Sequence, residues 1–232
     1  MTQRPPRAVL FDWDNTLVDN WGIIGAALND TLAAFGHTPW TQAEIDTRVT
    51  KSLRDTFPDL FGTRWQEAMV HFYAAFEAKH LETLRALPGA AELLRALGAR
   101  GVYLGVVSNK TGPYLRREAA HLGWDRLFGR LVGATDAAED KPSVAPVDLA
   151  LEGSGIARGA DVWFVGDSWI DLACAVNAGC LPVLVRARPP GADEFQGHAP
   201  AFHAADCAAL ARRLEAGWTT PWPGPNGASR RH

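Results

Sequence analysis

Short apolar runs rich in β-branched residues recur along the chain at Ala8 to Phe11, Val102 to Val107, Leu131 to Val132, Val162 to Val165 and Leu181 to Val185, and each reads as a buried strand. Between them the apolar positions space out at three and four residues. That spacing predicts helices over Ala90 to Ala99, Tyr114 to Leu122, Pro146 to Leu151, Ile170 to Ala178 and Ala205 to Leu214. Strands alternating with helices imply right-handed crossovers and an α/β fold on a doubly wound parallel sheet.

One connection breaks the rhythm. The stretch between Phe11 and Val102 is far longer than the roughly 10 to 12 residues a simple crossover needs. It carries two helix-spaced stripes of its own: Ile24, Leu28, Leu32 and Phe35, then Trp65, Met69, Phe72 and Phe76. They read as a helical mini-core, which makes residues 18–85 an inserted α-helical cap between two pieces of the main domain, 1–17 and 86–216. Pro88 and Gly89 mark the return to the main domain and start its next helix. Residues 217–232 are rich in Pro and Gly and have no periodicity, so they read as a tail that is disordered or laid over the surface.

Composition narrows the function classes. A formal charge of −3 and a pI near 6.2 provide no broad basic field for a nucleic-acid backbone, so a small anionic substrate would have to meet locally placed cations. Cys174, Cys180 and Cys207 are odd in number and lack CxxC spacing, which suggests buried, inert thiols. The first apolar run is interrupted by Asp12 and Asp14, unlike a signal-peptide core, and no stretch is long and apolar enough to span a membrane. A cytoplasmic protein with neither nucleic-acid nor membrane partners fits.

Four polar clusters fall at strand ends, where open α/β sheets bind ligands. Asp12 and Asp14 follow the first strand; alternation puts them on one side and Trp13 on the other, and carboxylates so close favour a bound divalent cation or a shared proton. Ser108 and Asn109 end the second strand, as polar donors at the sheet edge or as caps of the next helix. Glu139, Asp140 and Lys141 are a solvated charge run or a loop that projects Lys141 into an acidic site against Asp12. Asp167 follows Gly166 at the end of the fourth strand as a plausible metal ligand, and Asp171 lies in the first turn of the helix beyond, where the helix dipole favours a carboxylate.

Taken together, FDWDNTLVDN, Ser108-Asn109-Lys110, Lys141-Pro142 with Pro146, and GDSWID followed by Asn177-Ala178-Gly179 resemble the haloacid-dehalogenase superfamily, in its phosphoglycolate-phosphatase-like group with a helical cap. The resemblance extends to about residue 187. It implies a Rossmann-like core and a phosphatase that hydrolyses a small phosphorylated metabolite. Asp12 would be the nucleophile forming an aspartyl phosphate, and Asp14 the acid/base. Mg²⁺ would be held by Asp12, the Asp14 backbone carbonyl and Asp167, with Asp171 supporting from behind. Ser108, Asn109 and Lys141 would hold the phosphate. Asp14 separates this pattern from the dehalogenases, which lack a carboxylate there. Asn15 stands where the family most often has Gly, but Asn tolerates left-handed backbone angles. Trp13 is bulkier than the usual aliphatic residue.

Two other functions suit the same motifs: a β-phosphoglucomutase-like phosphotransferase, and a non-catalytic binding protein on the same scaffold. Within the cap, Lys51 and Arg54 either reach a second anionic group of the substrate or lie on a solvated helix face. His37, His71, His80 and His121 are isolated and fit surface or packing roles.

Overall fold

Alternation along the first strand separates two buried faces: Val9 and Phe11 pack into one apolar cluster, Ala8 and Leu10 into another. The computed structural model describes residues 5–48 and 52–217. In chain order its elements are β1 (Ala8–Phe11), β2 (Val18–Asp19), α1 (Trp21–Ala34), α2 (Gln42–Arg48), α3 (Leu53–Phe61), α4 (Trp65–Glu77), α5 (His80–Thr83), β3 (Arg85–Ala86), α6 (Ala90–Ala99), β4 (Tyr103–Thr111), α7 (Gly112–His121), β5 (Arg130–Ala134), α8 (Ala145–Leu151), β6 (Val162–Gly166), α9 (Trp169–Asn177), β7 (Leu181–Val185), β8 (Phe202–Ala204) and α10 (Cys207–Gly217).

Six strands form one parallel sheet in the order β5-β4-β1-β6-β7-β8. Later strands are added outward from β1 in both directions, so the winding reverses there and a crevice opens at its carboxyl end. Helices α6, α7 and α10 cover one face through Leu93, Leu115 and Leu210, while α8 and α9 cover the other through Val147 and Cys174. This is the doubly wound α/β sheet that the sequence pattern predicts.

Strand β4 runs past the apolar residues to Thr111, with a register shift against β5 between Val107 and Thr111. Ser108, Asn109 and Lys110 are therefore strand residues, and Thr111 is the N-cap of α7, which overturns the reading of Ser108 or Asn109 as helix caps. Strands β2, β3 and β8 have no counterpart in the apolar pattern, because segments of two or three residues are too short to display a period.

Helices α1 to α5 form the insertion. Leu28 and Leu32 of α1, Phe57 of α3 and Phe72 and Phe76 of α4 make its core, and Ile24, Phe35, Trp65 and Met69 pack against it half-buried. Phe57 is fully buried and meets Phe72 edge-on at 5.8 Å; truncating such a ring costs about 3–5 kcal/mol. The chain leaves and re-enters the main body through the antiparallel β2–β3 ribbon, where Val18 pairs with Ala86 and Leu87 N–H donates to the Leu17 carbonyl at 2.9 Å. Just beyond, Gly89 turns into α6 with φ 79°, and a Cβ there would lie 2.6 Å from the Ala208 nitrogen, so α10 could not approach any other residue this closely. Among the described residues no helix is long and apolar enough to cross a membrane. Residues 218–232, most of the expected tail, lie outside the described residues, whereas Gly217 closes α10.

Candidate active site

The Asp12 N–H donates to the Val165 carbonyl at 2.8 Å, which continues the β1–β6 pairing one residue beyond the strand and sets its carboxyl at the sheet edge, 6% exposed. The chain then turns tightly. Asn15 takes the left-handed φ of 60° and donates its N–H to the Val18 carbonyl at 2.7 Å, so Asn serves where Gly is usual. Trp13 points away from Asp12 into the core, edge-on to Trp124 at 5.9 Å. Asp12 and Asp14 both line the cavity at the end of β1.

Lys141 reaches Asp12 from the loop after β5. Its Nζ donates to Asp12 Oδ1 at 2.5 Å and to Asp171 Oδ1 at 2.7 Å, and the side chain is 3% exposed. The solvated-run reading of this segment fails for Asp140 and Lys141, both buried, and holds for Glu139, which is exposed. Asn109 holds the Lys141 backbone at both ends: its Oδ1 accepts from Lys141 N–H at 3.0 Å and its Nδ2 donates to the Lys141 carbonyl at 3.4 Å. Ser108 is buried, with Oγ accepting from Lys110 N–H at 3.1 Å, and lines the same cavity.

Asp167 and Asp171 arrive from the end of β6 and the first turn of α9. Asp171 closes a capping box, its Oδ2 accepting from Ser168 N–H at 3.1 Å and Ser168 Oγ at 2.7 Å. Gly166 makes room for it: a Cβ at residue 166 would sit 2.3 Å from the Asp171 side chain. Carboxylate oxygens of Asp12, Asp167 and Asp171 all lie within 4.8 Å of one another. Three acidic groups against one ammonium leave an excess of negative charge in a poorly hydrated place. Burial pushes Asp12 up to about 7, with Lys141 opposing and Asp171 adding, and burial followed by Asp171 and Asp12 holds Asp167 well above the usual carboxylate range. Burial alone would pull Lys141 down, but Asp12 and Asp171 keep it above the ordinary lysine range. Clustered hard oxygen donors with surplus negative charge suit a divalent cation.

A second buried network lies on the other side of Asp14. Lys110 Nζ pairs with Asp14 Oδ1 at 2.8 Å and with both Glu118 oxygens at 2.8 Å. Glu118 has no exposed surface and also accepts from Trp13 Nε1 at 2.7 Å and Asn20 Nδ2 at 2.9 Å, with His80 Nδ1 at 3.2 Å. Asn20 Nδ2 also donates to Asp14 Oδ1 at 3.0 Å. Motif reasoning missed Glu118 and gave Lys110 no role. The available signal was a glutamate on the buried stripe of Leu115 and Ala119 in α7. His80 is likewise not isolated: it is fully buried, stacked on Phe76 at 4.8 Å, and burial lowers its pKa. His37 and His121 are exposed.

Of the two cap candidates, Arg54 pairs with the buried Asp140 at 2.8 Å, joining the insertion to the loop of Lys141, and it is not on the wall of the main cavity. Lys51 lies outside the described residues. All three cysteines are buried and free, and burial pushes Cys174 and Cys207 up to about 12, so they are inert thiols at neutral pH.

The acidic cluster opens into a cavity of about 640 Å³, walled by the insertion on one side and by the strand ends on the other. Its floor carries Asp12, Asp14, Ser108, Lys141 and Asp167. With Asn109, which also lines it, six sites expected at three separate strand ends and a loop meet around one space, with Asp171 directly behind Lys141.

Comparison with known proteins agrees with this geometry. Residues 9–185 match the family model described as haloacid dehalogenase-like hydrolase. The chain is 33% identical over 184 residues to a phosphoglycolate phosphatase of Xylella fastidiosa, covering 78% of this chain and 80% of the relative. It is 30% identical over 210 residues to a 5′-nucleotidase of Pseudomonas aeruginosa, covering 89% and 95%. Among solved structures, a HAD-superfamily hydrolase from Ehrlichia chaffeensis superposes with a TM-score of 0.63 at 27% identity, covering 92% of this chain and 98% of that one. The chain belongs to the haloacid dehalogenase-like hydrolase family.

Proposed function

We propose that this protein is a Mg²⁺-dependent phosphatase that hydrolyses a small phosphorylated metabolite through a phosphoryl group carried on Asp12. The observation that carries the reading is the gathering of Asp12, Asp167 and Asp171 around Lys141 at the carboxyl edge of the sheet, with Asp14 beside them facing the cavity. Asp12 and Asp167, with the Asp14 main-chain carbonyl, would hold the Mg²⁺; the ion supplies positive charge to the phosphoryl oxygens when bound. Both Asp171 oxygens are already engaged, by Lys141 and by Ser168, so Asp171 supports the site from behind.

In the first step an Asp12 oxygen forms a bond to phosphorus while the ester P–O bond breaks. The departing oxygen takes a proton from Asp14. Water then attacks phosphorus, Asp14 takes its proton, and the acyl phosphate P–O bond breaks to restore Asp12 and release inorganic phosphate. Lys141 and Ser108 hold the phosphoryl oxygens, and Asn109 holds Lys141 in place through its backbone. Residues 18–85 act as the cap that keeps bulk water from the reaction, and residues 1–17 and 86–216 as the catalytic core.

The test is phosphate release from a panel of phosphorylated metabolites with Mg²⁺ present and removed by chelation. Release that needs the metal, and that falls by roughly 10⁴-fold or more in Asp12→Asn, is expected. Metal-independent release, or an Asp12→Asn enzyme that retains turnover, would sink the reading. Analysis of products from a hexose phosphate separates a phosphatase from a phosphotransferase.

A further inference from the structure

The phosphoryl machinery occupies one end of the 640 Å³ cavity, and a leaving group has to fill what is left. Aromatic rings line it from both sides. Trp21 of α1 and Phe72, Tyr73 and Phe76 of α4 line it from the insertion, with Tyr114 of α7 and Trp169 of α9 from the main body. Tyr73 and Tyr114 stack across the boundary at 5.1 Å and 10°, and the Tyr73 hydroxyl hydrogen-bonds Thr111. Trp169 is 44% exposed, one of three large apolar side chains exposed among the described residues, and it stands two positions after Asp167.

Most positive charge on the wall is already paired. Among the described lining residues, Lys110 is held by Asp14 and Glu118, Lys141 by Asp12 and Asp171, and Arg186 and Arg188 share Glu194 at 2.7 and 2.5 Å. Neither buried lysine can meet a carboxylate on the leaving group without giving up a partner, and of these groups only the Arg186–Arg188 pair, two guanidiniums on one carboxylate, keeps positive charge to spare. Volumes of roughly 300 to 1,000 Å³ with apolar and aromatic walls accommodate ligands much larger than a two-carbon acid. Flat rings are what such walls bind best, by offset and edge-on stacking.

Resting on the phosphatase reading above, we propose that the substrate is a phosphate monoester whose leaving group carries a flat aromatic ring, stacked among Trp21, Tyr73, Tyr114 and Trp169, in preference to a short carboxylated acid. The ring can come from a nucleoside or from a simple aryl alcohol, and two probes tell these apart.

Binding of phenyl phosphate, a nucleoside 5′-monophosphate and phosphoglycolate to full-length Asp12→Asn is measured by calorimetry with Mg²⁺, alongside kcat/KM of the wild type for all three. At least one ring-bearing ester binds about tenfold or more tighter than phosphoglycolate, and Trp169→Ala, an exposed position that spares folding, narrows that preference about tenfold. Preference for both ring esters assigns recognition to the ring alone; preference for the nucleotide alone adds contacts to its sugar. Equal or tighter binding of phosphoglycolate overturns the proposal while leaving the phosphatase reading intact. A ring preference in binding without turnover of any ester sinks the phosphatase reading and leaves the ring site standing.

Discussion

Lys141 meets Asp12 at 2.5 Å and Asp171 at 2.7 Å with Asp167 close by, three carboxyl groups to one ammonium, whereas Lys110 meets Asp14 and Glu118 at 2.8 Å, two to one. Both lysines are buried and both are held above the ordinary lysine range, so burial and pairing alone do not distinguish them. Their surroundings do. Around Glu118 the neutral donors of Trp13 and Asn20, together with His80, complete the carboxylate, while Asn20 Oδ1 and His80 Nε2 at the margin of the network have no hydrogen-bond partner among the described residues. Around Asp12, among the described residues, the one ammonium of Lys141 and a long contact from the Thr16 hydroxyl at 3.4 Å face three carboxyl groups, and Asp12 and Asp167 both shift upward. A buried carboxylate matched by donors fixes structure, while an over-acidic cluster of hard oxygens suits a divalent cation. Buried carboxylates of similar type thus acquire different roles from the company they keep.

Four changes would break or sharpen this contrast. Lys141→Ala should have the largest effect: under the proposed function it removes a preorganised positive group at the phosphoryl oxygens, lowering kcat by on the order of 10² to 10³. Steady-state phosphate release measures it, and a loss under tenfold would place Lys141 outside the reaction. Glu118→Ala should act on stability instead. It leaves Lys110 and the donors of Trp13 and Asn20 short of an acceptor, at about 3–5 kcal/mol, or a fall in Tm of roughly 10 °C for a chain of this size. Glu118→Gln, which keeps acceptor oxygen, should lose less. If thermal unfolding hardly changes while turnover collapses, the contrast between the two networks is wrong.

The third change is pH. The folded chain keeps the Asp12 proton up to about 7, whereas an unfolded aspartate loses it near 4. Between those values the folded state binds more protons, so the metal-free protein should lose stability as pH rises through that window, and the upward shift of Asp167 acts in the same direction. Mg²⁺ bound at the cluster, as proposed, would compete with these protons. At about 100 times its Kd it should raise Tm by on the order of 5 °C at pH 8 and much less at pH 5. A stabilisation that is equal at both pH values would count against the acidic cluster as the binding place. The smallest effect is expected from Asn15→Gly. Glycine relaxes the left-handed φ of 60° but loosens the unfolded chain, so stability should stay within about 0.5 kcal/mol, and turnover should be unchanged. A marked loss of turnover would mean that the Asn15 side chain itself reaches the substrate.

Much of the site is legible in the order of residues because a parallel sheet turns order into position. Asp12, Ser108 and Asp167 each follow an apolar run, and when β1 pairs with β4 and β6 those three ends become neighbours. Lys141 and Asp171 follow from the same logic, since each is tied to a strand end by a short loop or a first helical turn. Glu118 was not legible. A lone glutamate in a helix normally faces water, and only the approach of Lys110, Trp13, Asn20 and His80 from four separate places in the chain makes its burial tolerable. For Arg54 the sequence allows either substrate or solvent, and the structure gives it a third partner, Asp140.

By itself the sequence determined the α/β alternation, the helical spacing between Phe11 and Val102 and the acidic and cationic groups at the ends of apolar runs, because apolar periodicity and strand polarity are local properties of the chain. Tertiary structure decided how those groups share charge, that β4 extends through Ser108 to Thr111, and that the cavity over Asp12 and Asp14 is walled by aromatic rings drawn from both sides of the insertion boundary. Those features depend on distances between residues remote in the chain, and no local pattern encodes them.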